Sequence, residues 1–358
     1  QGVHIGANFT LSFDQSNLIT RQPIMHTAKI SGTGHYVPER IVTNEYLSTL
    51  MDTNDEWITE RTGIRERRWV EEGDGNTAAT MGIKAAHNAI KAAGLEGSDI
   101  GHIVFATISP DYYFPGCGVQ VQEALGIHTA GATDVRNACS GFIYAMSVGN
   151  AFVQTGMYEH VLVVASELQS PFLDKSTEGR GVTVIFGDGA GAVVLSRAKA
   201  DEAGIKSCHM HSEGKHKEEL TMKGFGTQHW VGELLENGVD PEIHYPQMNG
   251  NFVFKNAVVR FGEVIGEALE KNGLTPDQID CLIPHQANLR IAQFIQKRMG
   301  LRDDQVFNNI QKYGNTTGAS IAIALSEAVD EGAVKRGDTV CLAAFGAGFT
   351  WGSVLLTY

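Results

Sequence analysis

The chain has 358 residues, with 28 Lys and Arg against 41 Asp and Glu, a formal net charge of −13. With 42% hydrophobic and 19% charged residues it is neither disordered nor a coiled coil, and its length allows two domains or one large layered α/β unit. The acidity argues against a nucleic-acid binder held by phosphate contacts, no apolar stretch approaches the ~18 residues that span a bilayer, and five cysteines without a CxxC pair give neither a disulfide framework nor a zinc site.

Residues 1–24 lack the basic and apolar regions of a signal peptide, and Met25 looks like a natural start, so this stretch reads as a leader or flexible extension. From Met25 onward the chain repeats itself. The helix Ala89–Ala92, its closing Gly94-Leu95 and the strand Ile103–Ala106 match Ala268–Lys271, Gly273-Leu274 and Leu282–His285 at an offset of 179, that between Gly94 and Gly273. The apolar run Val161–Ala165 matches Val340–Ala344 at the same offset, and Gly191–Leu195 matches Gly352–Leu356 at 161. A longer loop around Gln169–Thr183 accounts for the difference. Two halves in equivalent order predict a duplicated α/β fold with pseudo-twofold symmetry and a site between the halves. The expected organisation is a first half over 25–198, a connection and surface excursion over 199–244, and the remainder of the second half over 245–358.

Chemistry-bearing residues fall at element ends. Cys139, in Asn137-Ala138-Cys139-Ser140-Gly141-Phe142, follows a short strand ending near Asn137 and precedes an apolar helix. Free N–H groups and the helix dipole there favour a thiolate. The competing reading of any cysteine is an inert packed thiol. It suits Cys281 and Cys341 in buried strands, Cys208 in the connection, and Cys117 in a Gly-rich turn. His285 stands at a strand end, repeat-equivalent to Ala106, and is either a structural histidine or a site residue. Asn315, in the Gly-rich turn Tyr313–Ser320 before the helix Ile321–Val329, reads alone as a cap or turn residue. Together the three supply a nucleophile, an imidazole and an amide donor.

With these residues the chain resembles β-ketoacyl-acyl-carrier-protein synthase III of the thiolase superfamily, from Met25 to Tyr358. The likeness is carried by Ile30–Gly34, Asp55–Ile58 with Arg61–Ile64, Phe186–Gly191, Pro284–Asn288 and Phe345–Gly352. It implies a thiolase-like α/β/α/β/α sandwich and the joining of an acyl-CoA primer to malonyl-acyl-carrier protein. By resemblance Cys139 takes the primer as a thioester, and His285 and Asn315 stabilise the enolate left by CO₂ loss. Backbone N–H groups of Cys139 and Ala347 hold the tetrahedral oxyanion. The family's commonest turn has three successive glycines, and Ala347 takes the middle place, where a Cβ restricts φ. No cofactor or metal is implied.

Trp57 and Arg61 share one face of a helix, and alone read as a surface aromatic–cation pair. The resemblance makes Trp57 stack on the CoA adenine with Arg180 on its other side, Arg61 lie near the phosphates, and Asn288 bind the pantetheine arm. Arg290, Lys297 and Arg298 form a basic stripe on the helix Leu289–Met299, joined by Lys255; it reads as a solvated face or a docking surface for an acidic carrier protein. Phe114 corresponds to a loop that closes the neighbour's acyl pocket in a homodimer. The turn at Asp188 lacks the Walker Lys-Ser/Thr and is read as structural. The same triad serves specialised condensing enzymes. A thiol hydrolase also uses Cys, His and Asn in this order, but the papain signature and a counterpart to the repeat are absent; a scaffold with a degenerate site conflicts with three intact positions. The turn near the C-terminus lacks the second cysteine of thiolases, and Asn315 replaces the second histidine of elongating synthases. These readings place the protein in the cytoplasm, without membrane or nucleic-acid partners.

Overall fold

A computed structural model describes residues 25–128, 130–199, 202–224, 226–227, 231–238 and 240–358, so the stretch 1–24 lies outside the described residues. In chain order its strands are β1 (Ala28–Tyr36), β2 (Ile41–Thr43), β3 (Glu66–Arg68), β4 (His102–Ala106), β5 (Gly131–Val135), β6 (His160–Glu167), β7 (Gly189–Arg197), β8 (Ile205–Ser212), β9 (Leu220–Thr221), β10 (Gln247–Met248), β11 (Cys281–Pro284), β12 (Thr339–Gly346) and β13 (Thr350–Thr357).

Two mixed sheets carry the duplication. The first runs β1-β7-β6-β4-β5 and the second β8-β13-β12-β11, with parallel pairing where β4 meets β6 and β11 meets β12. β6 and β12 correspond residue for residue at the offset of 179. Their apolar runs are buried on both faces, as expected of strands covered by helices on each side. The second sheet has only an isolated Leu282–Val306 bridge where the first has β5. β8 corrects the expected organisation: residues 205–212, read as part of a connection, pair with β13 and form an edge of the second sheet.

The helices Gly141–Gln154 and Ser320–Asp330 form the middle layer. Phe142, Ile143 and Met146 from one, and Ile321, Ile323 and Leu325 from the other, pack in one core with Val104 and Val163 of the first sheet and Ile283 and Leu342 of the second. The helix Ala78–Ala92 covers the outer face of the first sheet, and Gly250–Lys271 with Leu289–Met299 covers that of the second. The result is the α/β/α/β/α sandwich, whose middle helices both begin at the boundary between the halves.

Candidate active site

Three turns bring the chemistry together. After β5 ends at Val135, two residues before the expected point, the turn Ala138–Ser140 carries Cys139 into the helix Gly141–Gln154. His285 follows β11, and Asn315 precedes the turn Thr317–Ala319 that starts the helix Ser320–Asp330. All three side chains line one cavity of 380 Å³, buried to within a few per cent, with an apolar inner wall that includes Phe186, Phe254 and Phe345. Of the five cysteines only Cys139 borders it. Cys117 corrects a sequence reading: it is the buried first residue of the helix Cys117–Ala124. Cys208 lies on β8.

The surroundings of Cys139 oppose the thiolate expected of a helix start. Burial pushes the thiol up to about 12, and the Glu167 charge adds to the rise. Hydrogen bonds from the backbone N–H groups of Ala347 and Cys139 act against both. The helix start is present, but desolvation of the charged sulfur outweighs it. Gly346 makes this burial possible, since a Cβ there would stand 2.5 Å from the Cys139 Cβ. The next turn shows why alanine is tolerated at 347. The left-handed demand falls on Gly348, with φ 134°, whereas Ala347 is not among the described residues with positive φ.

His285 Nδ1 lies 2.6 Å from Ser320 Oγ, and Nε2 is buried without a partner among the described residues. Burial lowers its pKa to about 3, so the ring is neutral at ordinary pH and carries one N–H. Ser320 Oγ accepts from the Gln286 N–H at 3.3 Å, which leaves its own proton free for Nδ1. Where that hydroxyl donates to Nδ1, the ring carries its proton as Nε2–H, a donor within the site. Asn315 Oδ1 accepts from the Thr317 N–H at 2.8 Å, so Nδ2 is the donor that remains. Ser320 was not singled out from the sequence; its repeat mate is Gly141, and only the offset of 179 could have drawn attention to the pair.

At the cavity mouth the helix Asp55–Thr62, capped by the Asn54 side chain, presents Trp57. The guanidinium carbons of Arg61 and Arg180 lie 4.5 and 5.4 Å from its ring centroid. Arg180 also donates to the Asp52 carbonyl. Asn288 caps the helix Leu289–Met299 through Oδ1 and donates from Nδ2 to the Arg61 carbonyl at 2.9 Å, tying the two helices together. Arg290 is exposed, borders the cavity and lies 6.0 Å from the Phe254 ring. Lys297 and Lys255 are exposed beyond it, and Arg298 reaches over Gly262 to the Val258 carbonyl at 3.4 Å. Phe114 is 80% exposed and does not line the cavity of its own chain. Asp188 is buried and accepts from the N–H groups of Val70, Gln169 and Ser170 and from the Ser170 hydroxyl, which makes its turn structural.

Family models for 3-oxoacyl-[acyl-carrier-protein] synthase III match residues 133–214, and for its C-terminal part residues 269–358. A β-ketoacyl-[acyl-carrier-protein] synthase III from Salmonella arizonae is 44% identical over 331 residues, covering 92% of this chain and 99% of the relative. The chain belongs to the β-ketoacyl-[acyl-carrier-protein] synthase III family. The crystal structure of the 3-oxoacyl-[acyl-carrier-protein] synthase III from Aquifex aeolicus superposes with a TM-score of 0.85 at 41% identity, covering 92% of this chain and all of that one. A priming β-ketosynthase from the R1128 polyketide pathway reaches the same TM-score at 34% identity over 94% of this chain and 98% of its own. No helix among the described residues is long and apolar enough to cross a membrane.

Proposed function

We propose that this synthase III condenses an acyl-CoA primer with malonyl-acyl-carrier protein to give a 3-oxoacyl-acyl-carrier protein, the step that initiates type II fatty-acid synthesis in the cytoplasm. The observation that carries this is the convergence of Cys139, His285 and Asn315, from both halves, on one apolar cavity. The Cys139 sulfur attacks the primer carbonyl, the C–S bond to CoA breaks, and the thiol proton leaves with the CoA sulfur. Malonyl-carrier then enters with its thioester oxygen against His285 Nε2–H and Asn315 Nδ2–H. Its C–C bond breaks to release CO₂, and the electron pair becomes an enolate held by those two donors. The enolate carbon attacks the acyl carbonyl; the oxyanion is held by the Cys139 and Ala347 N–H groups and collapses, expelling the thiolate. The thiolate then takes up one proton from solvent, which balances the charge the malonyl carboxylate brought in, and the buried sulfur returns to the thiol.

A neutral imidazole suits this role, because a donor is needed and the malonyl carboxylate must leave as CO₂ without being held by a cation. Trp57, Arg61 and Arg180 would take the CoA nucleotide, Asn288 the pantetheine arm, and Arg290, Lys255, Lys297 and Arg298 the acidic carrier. Tyr112, Tyr113 and Phe114, 58–80% exposed, precede a helix whose first N–H groups donate to Asp134 of the exposed edge strand β5, and they support a homodimer in which Phe114 enters the partner's cavity. Priming of a polyketide-type pathway is the second reading, supported by the likeness to the R1128 ketosynthase. Purified protein should release CO₂ from malonyl-carrier only when a primer is present, with one acyl adduct on Cys139 by intact mass. A panel of primers and carriers separates the two pathways. An adduct on another cysteine would refute the site.

A further inference from the structure

The offset of 179 that relates the halves also relates the reactive turn to a turn on the other side of the boundary. Ala138–Ser140 corresponds to Thr317–Ala319, and each is led by a non-glycine residue of positive φ, 44° at Ala138 and 49° at Thr317. Cys139 therefore corresponds to Gly318, and Gly346 to Glu167. The contacts agree with this pairing. A Cβ at Gly346 would stand 3.1 Å from Cys139 Sγ, and a Cβ at Gly318 would stand 3.1 Å from Glu167 Oε1. In one half the side chain comes from the turn; in the other it comes from the strand.

The oxyanion donors correspond in the same way. The N–H groups of Cys139 and Ala347 map onto those of Gly318 and Leu168. Gly318 N–H donates to Glu167, while Leu168 N–H donates at 2.8 Å to Ser109 Oγ, which itself donates at 2.9 Å to Glu167 Oε2. Thr107, the Ile108 N–H and Gln169 complete the shell with three longer bonds of 3.2–3.4 Å. Every partner is a neutral donor, so the pattern fits an ionised carboxylate that nothing neutralises. The ionisable groups that feel it are Cys139 and Cys117.

We infer that Glu167 is a positioning residue of this site: its carboxylate takes the Gly318 N–H directly and the Leu168 N–H through Ser109, the counterparts of the two oxyanion donors, and so clamps the Gly318 turn between Asn315 and Ser320 and sets the charge facing Cys139. The inference rests on Cys139 being the nucleophile. It acts by two routes, reach and charge. Reach fixes Gly318, three residues after Asn315 and two before the hydroxyl that orients His285. Charge adds to the burial that keeps the resting Cys139 thiol protonated. Burial raises Glu167 to about 7, so above neutrality the carboxylate is present in its charged form.

Two substitutions separate the routes. Glu167→Gln keeps length and removes charge; Glu167→Asp keeps charge and shortens reach. Iodoacetamide labelling, mapped by mass at pH 8–9, reads the thiol, and CO₂ release from malonyl-CoA on the acylated enzyme reads the donors. Glu167→Gln should lower the thiol midpoint and speed labelling of Cys139 severalfold, the weaker nucleophilicity of a less basic thiolate offsetting part of the gain. Glu167→Asp should leave labelling near wild type, retain acylation and slow CO₂ release by about 10–100-fold. Unchanged labelling in a folded Glu167→Gln overturns the role of charge, and full CO₂ release by Glu167→Asp overturns that of reach; the aspartate variant still decides the clamp where the glutamine variant does not fold. Labelling of the wild-type enzyme at a different cysteine would instead bring down the nucleophile assignment.

Discussion

In the proposed reaction His285 works as an uncharged donor, which has two consequences for that residue. His285→Ala and Asn315→Ala should each keep acylation of Cys139 while slowing malonyl decarboxylation by about 10²–10³, the usual loss for one oxyanion donor; single-turnover assays of the two half-reactions read this directly. Ser320→Ala should act in the same direction and Ser320→Thr should keep activity, because the hydroxyl holds Nδ1 of the ring. The second consequence is thermodynamic. With a folded pKa near 3 against about 6.5 unfolded, the unfolded chain binds the extra proton, so this contribution to stability is complete above 6.5 and is lost as pH falls toward 3. Urea unfolding from pH 7 to 4 should show that loss, and His285→Gln should flatten the slope. The residue types were visible in the sequence, but their protonation was not: the group that buries Cys139 most closely, Gly346, lies more than two hundred positions away.

At the level of elements, the middle helices are where the two sheets are joined. Phe142 is fully buried at the start of the helix Gly141–Gln154, in the core shared by both sheets. Phe142→Ala should cost about 3–5 kcal/mol, read as a lower urea midpoint with an unchanged slope. The apolar runs of β4, β6, β11 and β12 were legible because both faces are covered, and a buried strand reads as an unbroken hydrophobic stretch. β8 was not, for the opposite reason. Its residues Lys206-Ser207-Cys208-His209-Met210-His211 are half-buried at a sheet edge, and polar side chains there give no periodic signal. The helix Leu289–Met299 has the bounds expected from the sequence, and the structure ends it on Gly300 in the αL conformation.

For the whole molecule, the proposed homodimer, in which a second chain completes the site, makes a prediction that no single-chain variant can. Phe114→Ala should broaden primer use, and a mixed dimer with Cys139→Ala should regain wild-type selectivity at half the sites, because the intact cysteine then faces the intact Phe114. Primer competition on purified mixed dimers tests it, and selectivity unchanged by mixing places Phe114 elsewhere. Carrier binding belongs to the same scale. On an enzyme of net charge −13, Arg290 and its neighbours are a local exception. Arg290→Ala should raise KM for malonyl-carrier while acyl transfer from acyl-CoA stays near normal. The carrier reaction should weaken with salt, since exposed charges are screened within about 8–10 Å at 0.1–0.15 M.

The exchange of side chains between Cys139 with Gly346 and Gly318 with Glu167 also limits what descent can do with a duplicated chain. A second nucleophile at 318 would need a Cβ 2.9 Å from the Ala138 carbonyl and 3.1 Å from Glu167. Clearing the way first by Glu167→Gly would strand the buried donors of Ser109, Ile108 and Gly318, at about 1–3 kcal/mol each. Either first step passes through a less stable protein with no gain in activity, and Ala106 would still have to become a histidine. One reactive thiol per chain is thus a one-way door, held shut by the packing of two glycines.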